Sequence, residues 1–462
     1  MKAWQIERKK MDEAVPKILT EEEQTWDFAN VLEAQSDAMV KLYWDSHVPG
    51  SYAPESIMIA AVQAMENKGY MFQHADDYIQ KGLDALKNND LLALHEITGR
   101  LWQEIYHATP DYTHPYYQYT HYHSFEDVLA TINFPAPHPV LKDDVLQDQV
   151  YAGWLAQIIG GAVGTAIEGY TTSTIQQTFG DVRHYIRTPN TYNDDITFEL
   201  AFLKAYQQQK KNVTSEDIAD QWLRYIPLAW SAEDFALRNL RQGVYPPQSA
   251  TYQNPFNDWI GAQMRGAICG MVAPGNPKEA ARLAWLDAVI SHDNNGALGE
   301  MFNAILASLA FIQHDVKELL RSTLSYIPND SEYFNFASFA FDACQRHEQW
   351  IDAWRECEPQ FKKYNWIHAY PNIMAEIVAL WYGNGDFEET LHIISMAGQD
   401  VDCNAAQILC AVAIMKGSSS IPASFKEPIA DRLDTYLRQD KVMSITQLAK
   451  DTFDVIEGSH ES

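Results

Sequence analysis

One segment near the middle of the chain restricts the fold more than any other feature. Within residues 151–170, small residues recur at every fourth position, at Ala152, Ala156, Gly160 and Gly164. On an α-helix these positions lie on one face, where the lack of large side chains lets a second backbone come close. The segment therefore predicts a helix buried deep among other helices.

The spacing of apolar residues predicts helices along most of the remaining chain. The N-terminal region contains four such patterns, and later ones lie at 194–210, 214–226, 231–243, 260–272, 277–291, 296–313, 334–348, 371–382, 386–396 and 404–416. Alternating strand patterns are nearly absent. The 22 glycines and 20 prolines are too few for a turn-rich all-β protein. We therefore predict an all-α fold, with a boundary at the proline-rich segment 134–144.

The charge balance excludes several classes of partner. The chain has 62 acidic and 34 basic residues, so its formal net charge is −28. Long-range repulsion then disfavours binding to nucleic acid or to an anionic membrane. We therefore predict neither of these partners. An anionic substrate would need a local source of positive charge.

Cysteine usage and the first residues indicate the compartment. The five cysteines are odd in number and form no CxxC motif, which is typical of a reducing cytosol. The N-terminal segment MKAWQIERKKMDEAVPK lacks the apolar core of a secretory signal. No apolar run approaches the roughly 18 residues that a membrane span needs. We therefore expect a cytoplasmic protein.

Two short acidic motifs begin predicted helices. The first is YNDDIT at residues 192–197, and the second is GQDVDCN at residues 398–404. Each motif places two carboxylates at a helix N-terminus, where the helix dipole stabilises negative charge. N-capping by aspartate explains either motif taken alone.

The two motifs together suggest a metal site. One cap needs one carboxylate, whereas these motifs supply Asp194, Asp195, Asp400 and Asp402. If the four converge, each like-charge pair at about 4 Å costs on the order of 4 kcal/mol at an effective dielectric of about 20. Hard cations such as Mg²⁺ or Mn²⁺ accept all-oxygen ligands and would relieve this repulsion. Two metals that share four carboxylates form a recognised catalytic arrangement.

Four blocks between residues 150 and 417 resemble the ADP-ribosylglycohydrolase family, in the family's order. The block GGAVGTAIE resembles its first motif, a Gly-Asp-x-x-Gly element that ends in a glutamate. The block YNDDITFELAFL resembles its Thr-Asp-Asp-Thr helix start. The third block, IGAQMRGAICG followed by PGNPKEAARLAWLDAVISHDNNGALGEMFNAILA, is similar to the family's central segment. The fourth block, GQDVDCNAAQ, resembles the family's C-terminal Gly-x-Asp-x-Asp-(Thr/Cys)-Asn motif.

The resemblance implies a domain organisation. It places a compact all-α catalytic domain with two Mg²⁺ ions at residues 145–420, with an insertion around 205–259. A helical N-terminal extension then covers residues 1–140, and a C-terminal helical tail covers residues 421–462. Mn²⁺ is an alternative metal.

The resemblance also implies site residues by their positions in the motifs. The metal ligands would be Asn193, Asp194, Asp195, Asp400, Asp402 and Cys403. Glu168 would lie nearest the chemistry and share the catalytic role with Asp400. The substrate-binding candidates are Arg265, His292 and Asn404, and a structural role is the alternative for Arg265 and His292.

This chain departs from the family pattern at several of these positions. Gly161 replaces the aspartate of the first motif, and Ile196 replaces the last threonine of the second, although Thr197 is adjacent. Asn193 stands where the family has a metal-binding threonine, and its amide oxygen can serve the same cation. Cys403 also stands at a threonine position. Because a thiolate is a poor ligand for Mg²⁺, this position is either vacant or selective for a softer metal.

The resemblance implies hydrolysis of an N- or O-glycosidic bond to ribose, in an ADP-ribosyl protein or a smaller N-ribosyl compound. Two alternatives stay open. The departures from the motifs suggest a binding protein that kept the pocket and lost turnover. A structural protein that uses only the scaffold is also possible, but it would have no need for four clustered acids.

Overall fold

The computed structural model describes residues 1–139 and 143–458, and within these ranges the fold is helical. The α-helices are α1 Ala3–Glu13, α2 Asp27–Trp44, α3 Ile57–Asn67, α4 Ala75–Lys87, α5 Leu91–His107, α6 Phe125–Thr131, α7 Asp143–Gly164, α8 Thr172–Phe179, α9 Asp194–Gln209, α10 Ser215–Tyr225, α11 Ser231–Arg241, α12 Gln248–Thr251, α13 Ala267–Met271, α14 Pro277–Ala288, α15 Asn295–Ala310, α16 Val316–Leu324, α17 Glu332–Arg346, α18 Trp350–Phe361, α19 Ala369–Gly383, α20 Phe387–Ala397, α21 Val401–Lys416, α22 Ala423–Ile429 and α23 Ile445–Gly458. Four 3₁₀ turns lie at Pro115–Gln118, Lys210–Asn212, Gln263–Arg265 and Ser418–Ser420.

The strands in the described ranges are all two or three residues long. They are β1 Ser46–His47, β2 Pro54–Glu55, β3 Tyr70–Met71, β4 Thr109–Pro110, β5 Tyr170–Thr171, β6 Gly398–Gln399, β7 Arg432–Asp434 and β8 Val442–Ser444. They pair antiparallel as β1–β2, β3–β4, β5–β6 and β7–β8. These pairs join loops and build no sheet that could form a core layer. The prediction of an all-α fold is confirmed.

The helix with the small-residue face lies at the centre of the main core. From Gln149 onwards, every residue of α7 except Tyr151 is buried. Helix α7 packs along α21 and also contacts α9 and α23. Every residue of α15 is buried as well, and this helix packs against α13, α14 and α21. The prediction of a helix surrounded by helices is confirmed.

The predicted helix over residues 260–272 is interrupted. The structure has a 3₁₀ turn at Gln263–Arg265 and then the short helix α13. A Cβ atom on Gly266 would lie 2.5 Å from the Glu300 carbonyl oxygen and 3.0 Å from the Ala304 nitrogen. The glycine therefore lets this segment lie against the backbone of α15, a contact that apolar periodicity does not encode.

The N-terminal helices have a smaller core of their own. Helices α2–α5 enclose apolar side chains that also contact Phe235, Phe256 and Trp259 from the later part of the chain. The predicted boundary segment 134–144 includes residues 140–142, which lie outside the described residues, as do residues 459–462 of the predicted tail. The predicted division into extension, insertion and tail stays a prediction. None of the described helices is both long enough and apolar enough to cross a membrane.

Candidate functional site

Glycines on α7 bring its backbone against the start of α21. A Cβ atom on Gly160 would lie 2.6 Å from the Ala405 carbonyl carbon. A Cβ atom on Gly164 would overlap the Cα atom of Asp402. Backbone contact this close is open only to glycine. The small-residue face therefore positions the second acidic motif beside the end of α7.

A two-residue strand pair holds the same two segments together beyond the helices. Strand β5 pairs with β6, with Tyr170 opposite Gln399 and Thr171 opposite Gly398. The Gly169 N–H also donates to the Gln399 carbonyl at 2.8 Å. Gly398 has a φ of +73°, which an L side chain rarely adopts. This pairing fixes Glu168 next to the second acidic motif.

At the first acidic motif, asparagine caps the helix and the aspartates are left for other contacts. The Asn193 side-chain oxygen accepts the Ile196 N–H at 3.3 Å. Its Nδ2 atom donates to Asp195 Oδ2 at 3.0 Å. The Cys403 thiol donates to the other Asp195 oxygen, Oδ1, at 3.1 Å. Asp195 is fully buried, and both of its oxygens have partners.

At the second acidic motif, no side chain caps the helix. Asp400 is the N-cap residue of α21, but its side chain makes no capping hydrogen bond. The Oδ1 atoms of Asp400 and Asp402 are buried and have no hydrogen-bond partner. Asn372 positions this motif, since its side-chain oxygen accepts the Asp400 N–H at 3.1 Å and the Asn404 amide at 2.8 Å. Capping therefore does not explain these two carboxylates.

The carboxylates of the two motifs lie close enough to perturb one another. Burial, followed by the charges of Asp402 and Asp400, raises the pKa of Glu168 well above its usual range. Burial and the charge of Asp402 likewise raise the pKa values of Asp195 and Asp400. Asp194 is exposed to the cavity, and desolvation by the cavity walls together with the charge of Asp402 raises its pKa to about 6. The four aspartates and Glu168 therefore form one electrostatic cluster.

A cavity of about 610 Å³ opens onto this cluster. Its polar lining includes Glu168, Asn193, Asp194, Asp400, Asp402 and Cys403. Asp195 lies behind these residues and does not line the cavity. Apolar and aromatic side chains form much of the remaining wall, among them Trp230 and Trp366. A chamber of this size and composition is typical of a small-molecule site.

The donor set fits a hard divalent cation. Asp400, Asp402 and Cys403 can each offer a ligand atom within 4.8 Å of one another. The two unpartnered carboxylate oxygens are the groups that a cation would satisfy, and carboxylate oxygen suits Mg²⁺ or Mn²⁺. Cys403 fits less well, because burial and the surrounding acids raise the pKa of its thiol well above the usual range. The thiol donates to Asp195 at 3.1 Å, and a metal-ligand role for Cys403 stays a prediction.

Two departures from the family motifs are adjacent in space. A Cβ atom on Gly161 would lie 2.7 Å from the Asn193 Nδ2 atom. The amide of Asn193 therefore occupies the space in which an aspartate at position 161 would begin. Ile196 is a buried core residue, while Thr197 donates to the Asn193 carbonyl at 2.8 Å. The asparagine and the glycine thus compensate one another sterically.

The three predicted substrate-binding residues lie outside the cavity lining. Arg265 is 1% exposed, and its guanidinium donates to Asp287, to Glu233 Oε1 at 3.0 Å and to Ser291 Oγ at 3.0 Å. The buried His292 ring contacts Ser291 Oγ at 2.8 Å through Nδ1, and burial lowers its pKa well below the usual range. These bonds match the structural alternative for the arginine and the histidine.

Asn404 is also buried, with its amide on Asn372 and its side-chain oxygen unpartnered. Substrate binding by Arg265, His292 or Asn404 stays a prediction.

The cavity contains residues that the sequence reasoning missed. They include Glu55, Arg187, Trp230, Glu233, Trp366 and Tyr436. Burial raises the pKa of Glu233 to about 7, while the Arg265 charge acts in the opposite direction. Asn372, which holds the second motif, was also missed. None of these residues lies in a recognisable motif, so no local signal could have identified them.

One family model matches most of the chain, and a relative and a solved structure are similar to it at low identity. The family model described as ADP-ribosylglycohydrolase matches residues 142–461. An uncharacterized protein from Archaeoglobus fulgidus is 24% identical over 295 residues, which cover 60% of this chain and 90% of the relative. A solved structure described as an ADP-ribosylglycohydrolase-related protein complex is 18% identical with a TM-score of 0.49, covering 68% of this chain and 99% of that chain.

Proposed function

The chain belongs to the ADP-ribosylglycohydrolase family, and from that premise we propose that it is a metal-dependent hydrolase of a glycosidic bond to ribose. Family membership supports glycosyl hydrolase activity in general. One observation carries the more specific proposal: four acids from three distant segments line one cavity, and two of them keep buried oxygens without partners. A purely structural role gives no reason to concentrate unpaired charge in this way.

We propose Mg²⁺ as the metal, with two ions and with Mn²⁺ as the alternative. Asp194, Asp400 and Asp402 would hold it, with Asp195 behind them. Bound metal would polarise the ribose hydroxyls and lower the pKa of a water molecule. The site residues Asn193 and Cys403 are engaged with Asp195 and would act by positioning that carboxylate.

Glu168 and Asp400 would be the catalytic residues for the attack of water on the anomeric carbon. In the hydrolysis, the water oxygen bonds to that carbon, the bond to the aglycone breaks, and the aglycone leaves with a proton. Glu168 lies on the cavity wall beside Asp400 and Asp402, and its carboxylate could accept the proton of the attacking water once bound cations offset the acids that raise its pKa. Asp400 would contribute through the cation that its unpartnered oxygen would hold, which would help to position the ribosyl group for the attack of water.

We propose a ribosyl substrate with a small aglycone, or a singly ADP-ribosylated group, in a cytoplasmic setting. Among the cavity-lining residues Arg187 is the only arginine or lysine, and its Nη1 atom donates to the Gly50 carbonyl at 2.6 Å. The acids of the lining outnumber it, so bound metal would be the main positive charge available to a substrate. This balance disfavours a large polyanion.

The test is release of ADP-ribose from a panel of ADP-ribosyl compounds and of ribose from simple N-ribosyl compounds, measured in Mg²⁺ with the wild type and Asp400→Asn. We expect release from at least one compound by the wild type and a loss of more than about 100-fold in the variant. Equal release by the two proteins on every substrate would contradict the hydrolase proposal. Metal content after gentle purification is the second readout, and absence of Mg²⁺ and Mn²⁺ binding would also contradict it.

One observation favours a second candidate, a ligand-binding protein without turnover. The Cys403 thiol occupies a position at which many family members have a metal-binding threonine, and it donates to Asp195 instead. In that case the wild type would bind Mg²⁺ and a ribosyl compound with no release of ribose.

A further inference from the structure

One wall of the cavity comes from outside the region that the family model matches. Strands β1 and β2 form a short hairpin that follows α2, with Ser46 opposite Glu55 and His47 opposite Pro54. The side chains of Ser46, His47 and Glu55 all line the cavity. The N-terminal helical region therefore takes part in the site that the matched region builds.

Glu55 has one satisfied and one unsatisfied oxygen in this wall. Its Oε2 atom accepts the Trp230 indole N–H at 2.7 Å and the Ser46 hydroxyl at 3.4 Å. Its Oε1 atom is buried and has no hydrogen-bond partner. A buried acceptor without a donor is energetically unfavourable, and in native proteins such atoms are exceptional. A donor on a bound ligand would remove this deficit.

The surroundings of Glu55 restrict what that ligand can be. Leu42, Leu228, Ile260 and Ile367 line the same cavity, together with the ring of Trp230. Apolar walls that carry a fixed acceptor favour a flat or apolar group with a well-placed donor. Asp194 is near enough that its charge contributes to the raised pKa of Glu55, about 7, after the larger effect of burial. The wall is therefore next to the carboxylate cluster.

We propose that this wall is the aglycone subsite, in which an N–H group of a nitrogenous aglycone donates a hydrogen bond to Glu55 Oε1 while its ring packs against Trp230. This inference rests on the proposed function, because it assumes that the ribosyl end lies at the carboxylate cluster. The ligand class is an N-riboside whose base or amide carries an N–H donor. The N-terminal region would thus set specificity for a reaction whose acids lie in the matched region.

Glu55→Gln gives a variant of the same shape with altered polarity. The indole N–H of Trp230 is only a donor, so the amide oxygen of the introduced glutamine must keep the position of Oε2. The amide nitrogen then takes the position of Oε1 and presents a donor to the cavity. Glu66→Gln is the matched control, since Glu66 is an exposed acid on α3, in the same region but outside the cavity lining.

The experiment measures binding by calorimetry to the full chain in Mg²⁺, using adenosine and purine riboside, which lacks the 6-amino donor. At a pH above 7, where the Glu55 carboxylate is ionised, we expect wild type and Glu66→Gln to bind adenosine about 10- to 100-fold more tightly than purine riboside, the range of a hydrogen bond to a charged group. Glu55→Gln should lose or reverse that preference. Circular dichroism and thermal melting check that the variants are folded.

Two results would overturn the subsite: a wild type that binds neither riboside, or equal preferences in wild type and Glu55→Gln. Ribose release is scored separately on the full panel. Release that does not depend on residue 55 would reject the subsite and keep the hydrolase. Residue-dependent binding without release from any compound would keep the subsite and reject turnover.

Discussion

The two acidic helix starts have similar sequences but different internal bonding. At the start of α9, Asn193 caps the helix and donates to Asp195, whose second oxygen accepts the Cys403 thiol. At the start of α21, Asp400 makes no capping bond, and both aspartates keep a buried oxygen without a partner. At the first start Asp195 is therefore satisfied within the protein, whereas at the second start both aspartates keep an oxygen that a bound cation would satisfy. Two carboxylates at a helix N-terminus do not by themselves indicate which case applies.

The largest expected difference concerns metal affinity. Asp402→Asn should weaken Mg²⁺ binding on the order of 100-fold or more, because it removes an unpartnered oxygen that faces the cavity. Asp195→Asn should weaken it by only about 10-fold, the size typical of a residue that positions a ligand. Titration calorimetry with Mg²⁺ measures both. Equal losses in the two variants would remove the distinction between the starts.

The next effect concerns the close backbone contact at the second start. Gly164→Ala should lower the free energy of unfolding by about 1–3 kcal/mol, since the new Cβ atom meets the backbone of Asp402. Gly161→Ala should cost less, because it meets only the Asn193 amide, the end of a side chain that can shift. Urea denaturation provides the comparison.

Gly99→Ala is the control for these glycine substitutions. A Cβ atom on Gly99, an exposed glycine in α5, would have no atom within 4 Å. This substitution should stabilise the protein by roughly 0.5–1 kcal/mol. If Gly164→Ala raised the free energy of unfolding as Gly99→Ala is expected to do, the close backbone contact between α7 and α21 would be contradicted.

A smaller effect concerns capping. In metal-free protein, Asn193→Ala should destabilise folding by about 1 kcal/mol, the usual cost of a lost N-cap. Asp400→Ala should not carry this penalty, since Asp400 makes no capping bond and its removal lowers the repulsion around Asp402. Chemical denaturation in the presence of a chelator measures both. A comparable loss in Asp400→Ala would mean that the two starts are equivalent.

The smallest effect concerns the cysteine between the two starts. Cys403→Ser replaces a thiol with a hydroxyl oxygen, a better donor for a hard cation. We expect a few-fold gain in Mg²⁺ affinity without a change in the overall fold. A loss of affinity would show that the hydrogen bond from the thiol to Asp195 matters more than the ligand type.

Much of the fold could be predicted because helix formation and burial leave local patterns. The predicted segment 194–210 corresponds to α9, and 296–313 corresponds to α15. The predicted segment 260–272 failed, because its glycines serve contact with α15 rather than helix continuity. Helices α16 and α18 were not predicted, although both lie in the described part of the chain.

The candidate site was predictable to the extent that its acids lie in short motifs. Asp194 and Asp402 could be named from their helix starts, and the structure brings both to one cavity. Glu55 could not be predicted as a site residue, since nothing in its local sequence distinguishes it from acids on the protein surface. Its position depends on how the hairpin after α2 packs against Trp230, 175 residues later in the chain.

The sequence by itself determined the helical class, the buried small-residue face of α7 and the two pairs of aspartates. The first two features depend on neighbours three or four residues apart, and the aspartates of each pair are one or two residues apart, so all three features are visible in the chain. Only the tertiary structure decided which aspartates are satisfied within the protein and which are left for a ligand. The same holds for the wall that the N-terminal region adds to the cavity. Hydrogen-bond partners and buried volume arise from segments that meet only after folding, so one-dimensional periodicity carries no record of them.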